Sequence, residues 1–417
     1  MQRDSVVLAK DYILDGSEVG VTRANDNQLI VGCSGTGKST STFFPTLARM
    51  SHCNPVAGYA KSIDAYRMAQ FMESKGYQVD ILDVEQPQRG TICFDPMRFV
   101  ASYEGIEALS STIVHSSLQK SVDDYWNSKA KPVLSCLIAA ALMTKKRPGF
   151  ADVLHLFNQM LIEEEVSGIS TGLHSMFRKI ESRSPNCFAA REYRTYCSLP
   201  FKTASCIRDT LSAALSAVFP EAIRESLDGK NQIDFNAFAE KKCAIFVISN
   251  AVDTAHSCYV NLFYRTCIRQ LLRIASEQKS GSLPRAVRFL FDDFACTTPI
   301  EGFEKDISLF RAAGMSAMIL LQSETQLEAI YGSSKAAIIR QNCPVYVYYP
   351  GGFDDRTCEL VSKRMNLPYE DILYAPLGKV FIMQAGRKPV HIDRYDTFQS
   401  EEYKEYCQIA KAAQQTR

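Results

Sequence analysis

Gly32, Gly37, Lys38 and Ser39 are spaced as G-x-x-x-x-G-K-S/T, a pattern suited to holding phosphate. Across Gly32, Cys33, Ser34, Gly35, Thr36, Gly37, Lys38, Ser39 and Thr40, small residues let successive backbone N–H groups turn inward around an anion. Lys38 can reach the β- and γ-phosphates of a nucleotide, and the Ser39 hydroxyl can ligate Mg2+. A chance glycine-rich turn has no reason to be flanked as this one is. Leu29-Ile30-Val31 before it is an apolar run fit for a buried strand. A helix can start after Gly37, with its positive N-terminal end on the phosphates. ATP with Mg2+ is the cofactor that these residues suit.

A phosphate loop needs a second acidic site to place the metal and a water. Phe289-Leu-Phe-Asp292-Asp293 is an apolar run ending in two acids, and strand ends of an open parallel sheet meet at the ligand crevice. Asp292 would hold Mg2+, directly or through water, and Asp293 would polarise the attacking water. A strand ending in a solvated acidic turn has the same sequence. Gln322 ends the next buried run, where an amide can sense the γ-phosphate, orient water, or simply cap the strand. Arg311 lies between the two runs, in Leu309-Phe-Arg-Ala-Ala-Gly314. A guanidinium offered to a neighbour's nucleotide stabilises transition-state charge. A solvated helix arginine looks no different in sequence.

The elements that must position these residues alternate in type over the first hundred positions. Ser5-Val-Val-Leu and Gly20-Val-Thr around Asp15-Gly16 predict an opening strand pair. The helix from Ser39 should kink or end at Pro45. Strands at 55–60 and 79–82 enclose a helix over 61–75 that stops at Gly76. From about 103 to 227 the text fits the helical period of about 3.6 residues almost throughout. Strands return at 244–248, 287–291, 317–321, 345–348 and 380–383, with a helix over 261–275. The fold class is therefore α/β, a mainly parallel sheet covered on both faces, interrupted by an all-helical insertion. The expected domains are 1–100 with 232–400 for the sheet, 101–231 for the helices, and 401–417 as a polar helix or tail.

The bulk numbers exclude some alternatives. With 417 residues the chain can build two or three domains. A formal net charge of +1 carries no global attraction for nucleic acid, so any DNA-facing surface must be local. Its 14 cysteines form no C-x-x-C pair, and scattered thiols of this kind suit a reducing cytosol. The longest apolar run, Pro132 to Met143, is too short to span a bilayer and predicts a buried helix.

Taken together, these blocks resemble the type IV secretion coupling ATPases of bacterial conjugation, the TraG/TraD family. Gly32 to Ser39 resembles its Walker A motif and Phe289 to Ala295 its Walker B block. Phe94-Asp-Pro96 resembles an aromatic-Asn-Pro block, and Asp124-Tyr-Trp126 the start of the family's all-alpha domain. Arg311-Ala-Ala-Gly314, then Gln322 to Leu327 with Tyr331-Gly332, resembles its most distinctive stretch; Asn342-Cys-Pro344 resembles the strand start beyond it. The likeness runs from about residue 25 to 385.

The resemblance implies a RecA-like P-loop ATPase domain carrying an inserted all-alpha domain. It implies homo-hexameric rings with nucleotide at subunit interfaces when assembled, compatible with a monomer in isolation. It places Arg311 as an arginine finger. It implies partners: a relaxase with single-stranded DNA or a relaxosome accessory protein, and a membrane-anchored secretion component. Three features depart from the family. Asp293 stands where Glu is usual, moving the base by about 1.5 Å, which can slow hydrolysis. Tyr59-Ala-Lys61-Ser62 replaces an Asp-Pro-Lys-Gly-Glu block. The family's transmembrane region is not among these residues. The start at Met1 favours a cytoplasmic member held at the inner face of the membrane by a partner, over a piece of a longer chain.

Two functions fit. One is a DNA motor, for which Lys145-Lys-Arg147, Arg178-Lys179, Arg183, and Arg191 and Arg194 beside Tyr193 and Tyr196 are candidate strand contacts. Each could equally be a solvated helix face. The other is a nucleotide-gated receptor for relaxase or effector proteins with little turnover, which Asp293 and the modest charge favour.

Overall fold

Strands β3 (Gln28–Val31), β4 (Asn54–Tyr59), β5 (Gln78–Asp83), β6 (Cys243–Ile248), β7 (Val287–Phe291), β8 (Met315–Leu321), β9 (Val345–Tyr348), β10 (Lys379–Gln384) and β11 (Val390–Asp393) follow a short hairpin, β1 (Val6–Ala9) and β2 (Tyr12–Leu14). These elements belong to a computed structural model that describes residues 2–16, 25–116, 124–165, 172–249, 254–292, 294 and 299–415. Among the described residues, one nine-stranded sheet has the order β11-β10-β9-β3-β8-β7-β4-β6-β5. From β9 to β5 all neighbours are parallel; β10 and β11 are antiparallel additions at one edge.

The strand sequences explain the burial. β3, β6 and β8 are buried at every residue, as apolar runs covered on both faces should be. Alternate residues face opposite ways. Ile30, Leu290, Met318 and Leu320 share a core with Phe43 and Leu47, and with Ala65, Met68 and Met72 of the helix Ser62–Ser74. On the other face Phe289 and Phe291 pack against Phe310 and Phe303.

Chain contacts divide the protein into two units. The first is Met1–Glu85, Asp234–Thr254 and Cys267–Arg417, which holds the sheet. The second is Gln86–Ile233 with Ala255–Thr266. The helix Ser257–Glu277 thus gives its first part to the second unit and its remainder to the first.

Several local expectations change. β1 pairs with β2 across a turn at Asp11, whose φ of 57° suits a tight reversal. The segment Gly20-Val-Thr, expected to be the partner, lies outside the described residues. Pro45 does not end its helix. The chain winds widely over Ser39–Phe43 and continues as an α-helix over Phe44–Ala48. Pro45 falls in the first turn of that second piece, where a missing N–H costs little. Gly76 stops the helix Ser62–Ser74 as expected, with φ +81°. Glu401–Gln415 is a helix, and Tyr406 docks it edge-on to Phe44 and Phe71.

At the N-terminal ends of the central strands sits a buried charge cluster. Asp26 pairs with Arg3 and, at 2.9 Å, with Arg288 of β7. Arg288 also donates to Ser316 of β8 at 3.1 Å.

The second unit contains the helices Tyr103–Ser116, Asp124–Thr144, Phe150–Glu165, Gly172–Arg183, Phe188–Cys197, Phe201–Val218 and Glu221–Ser226. Phe150 stacks on Phe219, and Phe94 packs against Tyr259 and Phe263. The run Pro132 to Met143 lies in the helix Asp124–Thr144, and Leu134, Leu137, Ile138 and Ala141 on it are buried. Among the described residues no helix is long and apolar enough to cross a membrane.

Asp95 is buried beside Phe94. It accepts from Met97 N at 2.9 Å and from Phe150 N at 3.0 Å. Burial nevertheless pushes its carboxyl from the ordinary 3.8 up to about 6. The folded unit therefore prefers the protonated acid. That stability is fully present below pH 3.8 and is lost as pH rises through about 6. Asp95→Asn keeps an acceptor without the charge. It should flatten the fall in stability across that window and raise stability at neutral pH, read by urea unfolding at several pH values.

Candidate functional site

β3, β8 and β7 are neighbours in order, and their parallel registers, Val31↔Leu321 and Phe291↔Ile319, bring their C-terminal ends to one edge, β3 level with β8 and β7 two residues short of it. Three chain turns leave the sheet there. The phosphate loop leaves β3, an acidic turn leaves β7, and Gln322 leaves β8. The last carbonyls of β8 tie the other two down. Gly32 N donates to Leu321 O at 3.1 Å, and Phe294 N donates to Leu320 O at 2.9 Å.

The loop takes its shape from its small residues. Gly35 and Gly37 have φ of +82° and +96°. The Thr36 hydroxyl donates to Cys33 O at 2.9 Å. Lys38 folds over the loop, its ammonium donating to Cys33 O at 2.9 Å and also to Gly32 O. Gly37 O accepts from Ser41 N at 2.8 Å, so the helix begins directly under the loop.

The Ser39 hydroxyl donates to Asp292 Oδ1 at 2.9 Å. The two predicted metal-holding groups are therefore in contact. A hydroxyl at the start of a helix and a carboxylate touching it, beside a loop shaped by Gly35 and Gly37, make a set of oxygen ligands for a hard cation next to a phosphate. The residues fit Mg2+ and a nucleotide.

Tyr349 forms the back of the loop. A Cβ on Gly32 would lie 2.6 Å from Tyr349 Cβ and 2.7 Å from its carbonyl oxygen, so only glycine fits. The Tyr349 hydroxyl hydrogen-bonds to Thr42, and burial pushes it up to about 12, against the opposing pull of that bond and of Arg394. Cys33 Sγ donates to Gly351 O at 3.1 Å, joining the loop to the turn after β9.

Gln322 is brought to this site. It is exposed at the end of β8, and its N–H donates to Gln326 Oε1 at 3.0 Å. Ser323 caps the helix Glu324–Tyr331, and buried Glu324 is held by Arg340 at 2.7 Å. Asp293 lies outside the described residues. Arg311 is not brought there. It is exposed on the helix Phe310–Ala313, which leads into β8 from the opposite end of the sheet. The seven residues of β8 put about 23 Å between that end and Gln322.

Two loop contacts were not anticipated from sequence. Arg394 donates to Thr36 O at 3.0 Å, and Thr397 donates to Thr40 O. Both follow β11, a half-exposed edge strand with no motif; only its short Val-His-Ile-Asp alternation could have hinted at it.

Among the proposed strand contacts of the second unit, Lys145, Arg191, Arg194, Tyr193 and Tyr196 are engaged internally. Tyr193 and Tyr196 are only 7% and 6% exposed, so neither ring is presented for stacking. Tyr193 stacks on Phe177 instead, with centroids 3.8 Å apart. Arg194 pairs with Glu181 at 3.0 Å, Arg191 with Glu192 at 3.2 Å, and Lys145 with Asp152.

Residues 4–366 match the family described as type IV secretory system conjugative DNA transfer. No curated protein matches the sequence. Among solved structures, the bacterial conjugative coupling protein TrwBdeltaN70, in its trigonal form with sulphate, is 14% identical with a TM-score of 0.64. That alignment covers 96% of this chain and 92% of the other. TrwB in complex with ADP and Mg2+ is 15% identical with a TM-score of 0.59, over 91% and 88%. VirB4 of Thermoanaerobacter pseudethanolicus is 14% identical with a TM-score of 0.56, over 95% and 97%. The fold is thus the RecA-like α/β fold with a helical unit.

The approach of Tyr349 gives a test independent of function. Gly32→Ala should destabilise the protein by about 1–3 kcal/mol, since backbone rather than a flexible side chain must shift. Chemical unfolding of the two proteins measures it.

Proposed function

Because the chain belongs to the type IV secretory system conjugative DNA transfer family, we propose that it is an ATP-driven coupling protein that delivers relaxase-bound single-stranded DNA to a secretion channel. The observation that carries the nucleotide chemistry is the Ser39–Asp292 contact at the mouth of the phosphate loop. TrwB has been solved with ADP and Mg2+ and with analogues of ATP and GTP, and we extend ATP and Mg2+ to this chain.

In this reading the N–H groups of residues 33–40 and the Lys38 ammonium hold the phosphates. Ser39 and Asp292 would hold Mg2+, which would supply positive charge against the phosphates. Asp293 accepts the proton of the attacking water, and Gln322 orients that water beside it. Arg311 acts on the nucleotide of an adjacent subunit in a hexameric ring. Its place at the far end of β8 supports a role in trans over one in its own subunit. The protein works in the cytoplasm, at the inner face of the membrane, through a membrane-anchored partner.

The engaged state of Arg191, Arg194, Tyr193 and Tyr196 favours a second reading, a nucleotide-gated receptor for relaxase or effector proteins with little turnover. ATPase activity measured with and without single-stranded DNA separates the two. Stimulation by DNA supports the motor. Nucleotide-dependent relaxase binding without stimulation supports the receptor.

Asp293→Asn should abolish turnover while leaving ATP bound, and Asp293→Glu should keep or raise the rate. Parental turnover in the Asn protein would assign the base elsewhere.

Mixing Arg311→Ala with Lys38→Ala protein should restore activity that neither has alone. Some interfaces in mixed rings then carry both an intact loop and an intact arginine. Such arginines are worth roughly 10³–10⁵ in rate. No recovery in mixed oligomers, verified by light scattering, would leave Arg311 without a role in trans.

A further inference from the structure

The segment after β11 holds the phosphate loop at two points. Arg394 Nη1 donates to Thr36 O at 3.0 Å, and the Thr397 hydroxyl donates to Thr40 O. These carbonyls bracket Gly37, Lys38 and Ser39. Gly37 has φ +96°, and a Cβ there would lie 2.7 Å from Arg394 Nη1. The guanidinium therefore occupies the space that the glycine leaves beside the phosphate-holding turn.

The arginine is held in place by its backbone. Its N–H donates to Gly378 O at 2.8 Å, one step beyond the Lys379↔Asp393 pair that ends the β10–β11 ladder. Tyr395 and Glu402 both bind Arg49, which follows the loop's own helix. The side chain is exposed, and among the described residues no carboxylate pairs with it; neighbouring Asp393 is taken by Lys379 at 3.1 Å. Thr36 O engages one of the five guanidinium donors. A brace for a carbonyl needs only a neutral donor. A fixed cation with free donors beside an anion-binding turn suits a phosphate.

We infer that Arg394 is a direct nucleotide contact, its guanidinium donating to a phosphate oxygen of the nucleoside di- or triphosphate in the loop. This rests on the reading of residues 32–40 as a nucleotide site. It makes the C-terminal segment part of that site.

Calorimetry with Mg-ADP and Mg-ATP tests it, on wild type, Arg394→Ala, Arg394→Gln, Arg394→Lys and Lys38→Ala. Loss of one charge-assisted contact should weaken binding about ten- to hundredfold in both the Ala and Gln variants, with Lys intermediate. The deficit should shrink as salt is added, because it is electrostatic. Wild-type affinity in the Gln variant would reduce Arg394 to a loop brace, as would a loss in all three variants that ignores salt. Unchanged affinity in the Ala variant would remove the contact altogether. If Lys38→Ala also binds like wild type, the loop is not a nucleotide site and the inference falls with that reading. Thermal unfolding of each variant without nucleotide checks that it is folded; the Gln and Lys variants decide the question if Ala is not.

Discussion

Ser39 and Asp292 are 253 positions apart in the chain and hydrogen-bonded in the fold. Their contact depends on one constraint, the insertion of β8 between β3 and β7. A parallel sheet directs all its strand ends to one edge, and there the chain must turn away. β8 ends level with β3 and two residues beyond β7, so its last two carbonyls receive an N–H from the phosphate loop on one side and from the acidic turn on the other. The two halves of the site are positioned by the same strand end. Gln322 emerges between them because it is the next residue of that strand.

The opposite ends of the same strands are held by charge. Asp26 precedes β3 and Arg288 lies on β7, so their ion pair spans the strand between them. Asn27 adds a bond, accepting from Ala317 N of β8 at 2.8 Å. A one-residue slip would turn every apolar side chain of a strand to the wrong face. Polar pairing at the start of three strands excludes that slip. Such a buried cluster contributes little net stability while intact, yet removal of one partner leaves an uncompensated charge, at about 3–5 kcal/mol. Register at this end thus protects geometry at the other.

The helical unit uses its polar groups differently. Arg191 and Arg194 find carboxylates on the same or a neighbouring helix, and Tyr193 and Tyr196 are buried, Tyr193 in an aromatic stack. Exposed ion pairs of this kind contribute little to stability. They do lower the positive charge offered to a polyanion, in keeping with a formal net charge of only +1 on the whole chain.

The phosphate loop, its strand and its helix were determined by sequence alone. The reason is that their chemistry is local: spacing of Gly32, Gly37, Lys38 and Ser39 dictates backbone shape within a few residues. The buried strands were equally plain, because both faces of a parallel sheet demand unbroken apolar runs. Interactions between distant segments were not. Nothing local distinguishes β11, half in water at the sheet edge, or predicts that the residues after it reach Thr36 and Thr40. The pairing of Tyr193 with Phe177 rather than with a ligand likewise depends on how two helices meet. The position of Arg311, at the far end of β8 from the loop, follows from strand direction, which only the assembled sheet decides. Local spacing specifies a motif; the order and direction of strands specify what else stands beside it.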